Sequence, residues 1–226
     1  MKRTSKQVDM FVNRVAELSF DSTFNPYAEA CAEHDGADAP AIRRRNLSLV
    51  LDAAISHGVD SLWIARDLGY RGGRRTGLAL TDEVHLGAHA SLFGTPPLTR
   101  ATRGPAVAER TATIIWQVLK HLDQPIFLWN VFPLHPHERG DPMSNRCHTR
   151  SERQACRPLL MRLLDMLQPK TIVAIGRDAQ IALADLGVDA NKVRHPSYGG
   201  QAEFIAGTCD LYGLPARSVL KEPLLL

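Results

Sequence analysis

Apolar positions recur along the chain with two alternating periods. Over residues 6–18, Val8, Phe11, Val12, Val15 and Leu18 fall at helical spacing and predict a helix with one buried stripe. A second helix is predicted over residues 41–57, with Ile42, Leu47, Val50, Leu51, Ala54 and Ile55 inward and Gly58 as its stop. Leu62 to Ala65 is a short unbroken apolar run, the pattern of a strand covered on both faces. Residues 78–104 carry little periodicity and several turn formers, so they read as a long functional or mobile connection. Pro105 suits the first turn of a helix running to Leu122, and Pro125 to Val131 is a second strand. Ser151 and Gln154 have capping-box spacing ahead of a leucine-rich helix, in which Pro158 marks a kink or the true start. Thr171 to Ile175 is a third strand, 177–187 a short helix, 191–194 a brief fourth strand and 201–212 a last helix. Strand alternating with helix four times predicts a three-layer α/β/α sandwich around a mostly parallel four-stranded sheet. The expectation is one domain over residues 1–226, with the helices of 1–58 packed on it.

Composition changes this picture little. Of 226 residues, 44% are hydrophobic and 23% charged, as in ordinary globular proteins. A formal net charge of +3 permits nucleic-acid binding without arguing for it, but the arginines cluster at 43–45, 71–75, 100–103 and 146–157. Cys31, Cys147, Cys156 and Cys209 form no CxxC pair, and Cys147, Cys156 and His148 are poorly spaced for a metal, so no metal or cluster is expected. The first ten residues lack the apolar core of a signal peptide, and no stretch approaches the ~20 apolar residues of a membrane helix. The expected setting is cytoplasmic and reducing, with no membrane.

The candidate chemistry sits just past the strands. Asp67 follows the first, Asn130 ends the second, and His195-Pro196-Ser197 follows the fourth. In a parallel sheet those ends converge, and ligands of open α/β sheets bind there. After Asp67 comes a loop in which Gly69, Gly72, Gly73 and Gly77 alternate with Arg71, Arg74 and Arg75, a composition suited to phosphate. Each residue also has a plainer reading: an ordinary surface loop, a turn-capping aspartate or asparagine, a solvated histidine.

Taken together, ARDLG at 65–69, LWN at 128–130 and HPS at 195–197 resemble the three motifs of the uracil-DNA glycosylase superfamily, in order and in strand context. The resemblance implies a monofunctional glycosylase, a monomer without cofactor, that flips uracil out of DNA and releases it as free base. It implies Asp67 and His195 as catalytic: Asp67 would stabilise the oxocarbenium-like sugar and orient the attacking water, and His195 would hydrogen-bond the departing base. Asn130 would read the uracil edge, since an amide offers one donor and one acceptor. Arg71, Gly72, Gly73, Arg74, Arg75, Arg194 and Ser197 would contact the DNA backbone, with Asn145, Arg146 and His148 as further positions near the strand. Tyr198, with Gly199, occupies the place of an intercalating loop, where it would wedge into the duplex or simply pack.

The sequence also departs from the family. Ala65 and Leu68 replace a glycine and a proline common in members, and Gly69 stands where some carry a thymine-excluding tyrosine. Leu80 takes the place of the aromatic that stacks on uracil, which leaves Tyr70, Phe93 and Phe132 as candidates for that ring. Two alternatives therefore stay open: a glycosylase for another deaminated base such as hypoxanthine or xanthine, and a damaged-DNA-binding module without catalysis.

Overall fold

The computed structural model describes residues 2–216 and 219. Its central sheet holds β2 (Ser61–Ala65), β3 (Ile126–Asn130), β5 (Thr171–Ile175) and β6 (Asn191–Val193) in the order β3-β2-β5-β6, every pair parallel. Side chains alternate across it. Leu62, Ile64, Phe127, Trp129 and Ala174 face a core built by α1 (Lys2–Ala16), α2 (Ala39–His57), α6 (Arg150–Leu167) and α7 (Arg177–Asp185). Trp63, Ala65, Ile126, Leu128, Val173, Ile175 and Val193 face a second core with α5 (Arg110–Leu119) and α8 (Gln201–Tyr212). Continuous apolar runs are what a strand buried on both faces requires, and the predicted α/β/α sandwich is the architecture observed.

The differences have local causes. α6 opens two residues earlier than Ser151–Gln154 would set it: Thr149 caps it, its hydroxyl accepting from the Glu152 amide while Glu152 Oε2 accepts from the Thr149 amide. Pro158 lies inside that helix. α5 begins at Arg110 rather than Pro105, because Glu109 is extended and its amide donates to Asp82 Oδ2 at 2.6 Å. The 78–104 connection is not a bare loop. It contains α4 (Leu86–Leu92), and Asp82 accepts from the amides of Val84 and His85 and from His85 Nδ1 at 2.6 Å. β1 (Thr23–Phe24) and β4 (His135–Pro136) form a two-residue antiparallel pair, too short to leave a period in the sequence. Among the described residues no helix is long and apolar enough to cross a membrane.

Candidate active site

β2 and β3 pair with Ala65 opposite Asn130, and the ladder continues past the strands: Val131 donates to Ala65 O at 2.9 Å and Phe132 to Arg66 O at 3.0 Å. Asp67 and Asn130 thus lie at the same edge of the sheet. Register partners in a parallel pair share a face, so Asn130 lies on the Ala65 side of the sheet, the side whose core includes Leu68, Ala79 and Leu80. Its side chain is 1% exposed, and neither Nδ2 nor Oδ1 has a hydrogen-bond partner among the described residues. An amide orphaned at both atoms carries a desolvation cost of about 1–3 kcal/mol per unpaired group, which a ligand with matching donor and acceptor removes.

Asp67 is engaged at both oxygens. Oδ2 accepts from Arg66 Nε at 2.5 Å, and Oδ1 pairs with His148 Nδ1. Arg66, 34% exposed at its side chain, reaches onward to Asp178 in the first turn of α7 at 2.7 Å. That span links Asp67 to the neighbourhood of His195. Gly176 begins α7 with φ 93°, and a Cβ there would lie 2.9 Å from the His195 Cβ, so only glycine lets the two segments approach. The Ser197 amide donates to His195 Nδ1 at 3.2 Å, and Ser197 Oγ lies 2.7 Å from the same nitrogen. A backbone N–H requires an acceptor, which assigns the neutral ring's proton to Nε2. Burial pushes the His195 pKa down to about 4, with the cations Arg66 and Arg194 adding to it, so the ring is neutral at pH 7 and offers one N–H donor.

The glycine-rich loop is not what its composition predicts. Arg74 is 2% exposed, its Cζ over the Phe24 ring at 4.0 Å from the centroid, and Arg75 pairs with Glu83 at 3.1 Å. Gly72 and Gly73 are buried too: a Cβ at Gly72 would meet Glu109 Oε2 at 2.1 Å, and one at Gly73 would meet the Leu68 side chain at 2.4 Å. These four positions, expected to face phosphate, are part of the interior. The short helix α3 (Gly73–Thr76) turns the loop inward, and the glycines admit close packing by Glu109 and Leu68. Arg71 remains as the loop's exposed cation, its Nε 3.4 Å from Ala108 O. On the other rim Arg194 and Gly199 are exposed and Ser197 half-buried, while Tyr198 is 98% exposed with φ 50°.

The candidates for a stacking ring separate by face. Phe132 is fully buried with Phe20 and His148 against the α1 side of the sheet, and Phe93 packs on Phe127 in the same core, so both lie across the sheet from Asn130. Phe132, expected to stack on the base, is packed in that core instead: β3 ends at Asn130, and past its end the chain turns Phe132 to the Phe20 side, whereas alternation alone would have kept it on the Asn130 face. Leu80 is on the Asn130 face, in the left-handed region at φ 54°. Tyr70 is half-buried, its amide donating to Asn145 Oδ1 at 3.0 Å. Asn145 and Arg146 are likewise occupied: Arg146 pairs with Glu152 at 2.6 Å and donates to the carbonyls of Asp21, Ser22 and His137.

Sequence reasoning missed Asp82, Glu83 and Glu109, and it placed His148 near the DNA strand rather than on Asp67, because each has a partner distant in the chain. TDE at 81–83, polar residues in an otherwise apolar stretch, was the available signal. Two cavities, of about 500 Å³ beside α4 and α5 and about 600 Å³ between α1 and α6, lie away from Asp67, Asn130 and His195.

The fold is similar to the crystal structure of SMUG2 from Pedobacter heparinus, with a TM-score of 0.59 and 12% identity, covering 92% of this chain and 97% of that one. No curated protein matches the sequence. The family model of the uracil DNA glycosylase superfamily matches residues 75–210, more than half of the chain, from the end of the arginine loop through the middle strand and the HPS segment. The chain is a member of the uracil DNA glycosylase superfamily.

Proposed function

We propose that this protein is a monofunctional glycosylase that hydrolyses the N-glycosidic bond of uracil in DNA, the first step of base excision repair. The observation that carries the reading is Asn130: a buried amide with both atoms unpaired among the described residues, at the carboxyl end of β3, paired with the strand that Asp67 follows. Uracil presents a carbonyl and an adjacent N–H, the complement of that amide, whereas cytosine presents an acceptor where uracil has its N–H.

In the reaction the C1′–N1 bond breaks and its electron pair leaves with the base. His195 Nε2–H donates to the carbonyl oxygen on which negative charge grows. Asp67 faces the cationic sugar and orients water, whose oxygen bonds to C1′ while its proton is passed to the carboxylate. The products are free uracil and an abasic site. Arg71, Arg194 and Ser197 suit phosphate contacts. Tyr198 suits a wedge: an aromatic held in solvent in a strained backbone conformation has no packing role in the free protein.

The test is release of free uracil from a labelled oligonucleotide by the purified protein in the presence of a chelator. Parallel oligonucleotides with hypoxanthine or xanthine test the second reading, which Gly69 and Leu80, standing where aromatic rings are common in the family, leave open. Selective binding with no base released from any of them would leave only the binding-module reading.

A further inference from the structure

We infer that His148 is the positioning residue of the reaction, fixing the carboxylate of Asp67 from behind. The inference rests on the reading of Asp67 as the catalytic carboxylate. The two partners of Asp67 differ in kind. Arg66 is one-third exposed and shared with the exposed carboxylate of Asp178, so a DNA phosphate can compete for it. His148 is buried, its side chain 2% exposed, and it has nowhere else to go.

Two ring contacts and a backbone anchor hold the imidazole. Its ring packs against Phe132, centroids 5.6 Å apart. Its Nε2 lies 3.4 Å from Arg153 Nη1, and Arg153 is itself fixed to Asp185 at 2.8 Å. Its backbone runs directly into Thr149, the N-cap of α6, closed by the reciprocal bonds with Glu152. Arginine only donates, so Nε2 accepts and Nδ1 carries the hydrogen given to Asp67 Oδ1. With both ring nitrogens occupied, His148 does not face substrate and is not an acid or base in the reaction. It selects one rotamer of Asp67 and leaves Oδ2, on the Arg66 side, as the oxygen free to serve the sugar and the water once phosphate draws Arg66 away. Holding a reacting group in one geometry is worth orders of magnitude in rate without any change in binding.

The experiment measures single-turnover uracil release at saturating DNA, alongside affinity for DNA carrying a non-hydrolysable uracil nucleotide. His148→Leu removes the donor, and His148→Asn keeps an N–H near the place of Nδ1. The expected result is a fall of about 30-fold or more for His148→Leu and less than about 5-fold for His148→Asn, with affinities within about threefold. In an Asp67→Asn background, itself slowed about a hundredfold or more, His148→Leu should change the rate by under about twofold, because the two residues act as one unit. If His148→Leu does not fold, His148→Gln replaces it, since its amide overreaches the Nδ1 position and should be slower than His148→Asn. Equal rates for the donor and non-donor variants, or the same loss with and without the Asp67 carboxylate, would overturn the inference. A wild-type protein that releases no base would instead overturn the catalytic reading of Asp67, and this inference with it.

Discussion

Arg75 and Glu83 form an ion pair inside the protein, Nε to Oε2 at 3.1 Å, with the Glu83 side chain wholly buried. Glu83 also accepts from Thr102 Oγ1 and, at 2.8 Å, from the Val107 amide, so one carboxylate ties the arginine loop to the long connection behind it. Removing one partner of such a pair leaves a buried charge, at a cost of about 3–5 kcal/mol. Glu83→Gln should therefore lower the urea midpoint strongly. Arg75→Met strands the buried Glu83 carboxylate in the same way and should cost about as much, yet leave the salt dependence of DNA binding unchanged. A reduced salt slope in Arg75→Met would restore Arg75 to the DNA interface.

Asn130→Asp keeps shape and burial but turns the amide's donor into an acceptor. Uracil release should fall by about a hundredfold or more, with any residual activity shifted toward cytosine. Intact discrimination between uracil and cytosine in this variant would mean the base is read elsewhere.

Burial lowers His195 and His135 to about 4 and His89 to about 3, so these rings fold neutral. Between the ordinary histidine value near 6.5 and about 4 the unfolded chain binds more protons than the folded one. The stability they contribute is complete above about pH 6.5 and is lost as pH falls toward 4. Glu109 works in the opposite sense: burial and Asp82 raise it to about 7, and its contribution is lost as pH rises through that value. Three groups outweigh one, so the urea midpoint should drop from pH 7 to pH 5, and His135→Asn should flatten that drop. A midpoint that rises on acidification would show that these rings are solvated.

Tyr198 is almost fully exposed at φ 50°, a conformation that glycine adopts without strain. Tyr198→Gly should leave stability unchanged or raise it by up to about 1 kcal/mol. It should slow uracil release from duplex DNA by about tenfold or more while sparing single-stranded substrate, where no stack needs to be wedged open. Equal slowing on both substrates would assign Tyr198 a role other than intercalation.

Much of this protein was legible in its sequence because the relevant physics is local. Runs such as Leu62–Ala65 and Ile126–Val131 announce strands buried on both faces, and the alternation with amphipathic helices announces the sandwich. Strand ends bring Asp67, Asn130 and His195 to one edge of a parallel sheet by topology alone. What the sequence could not carry is direction and partnership. Arg71, Arg74 and Arg75 look alike in the chain, yet α3 turns two of them inward to Phe24 and Glu83 and leaves one outside. Phe132 and Leu80 compete on paper for one role, and the face of the sheet separates them. His148 meets Asp67 across 81 residues. Periodicity records which residues avoid water, whereas the pairing of polar groups depends on distances that exist only once the layers have closed.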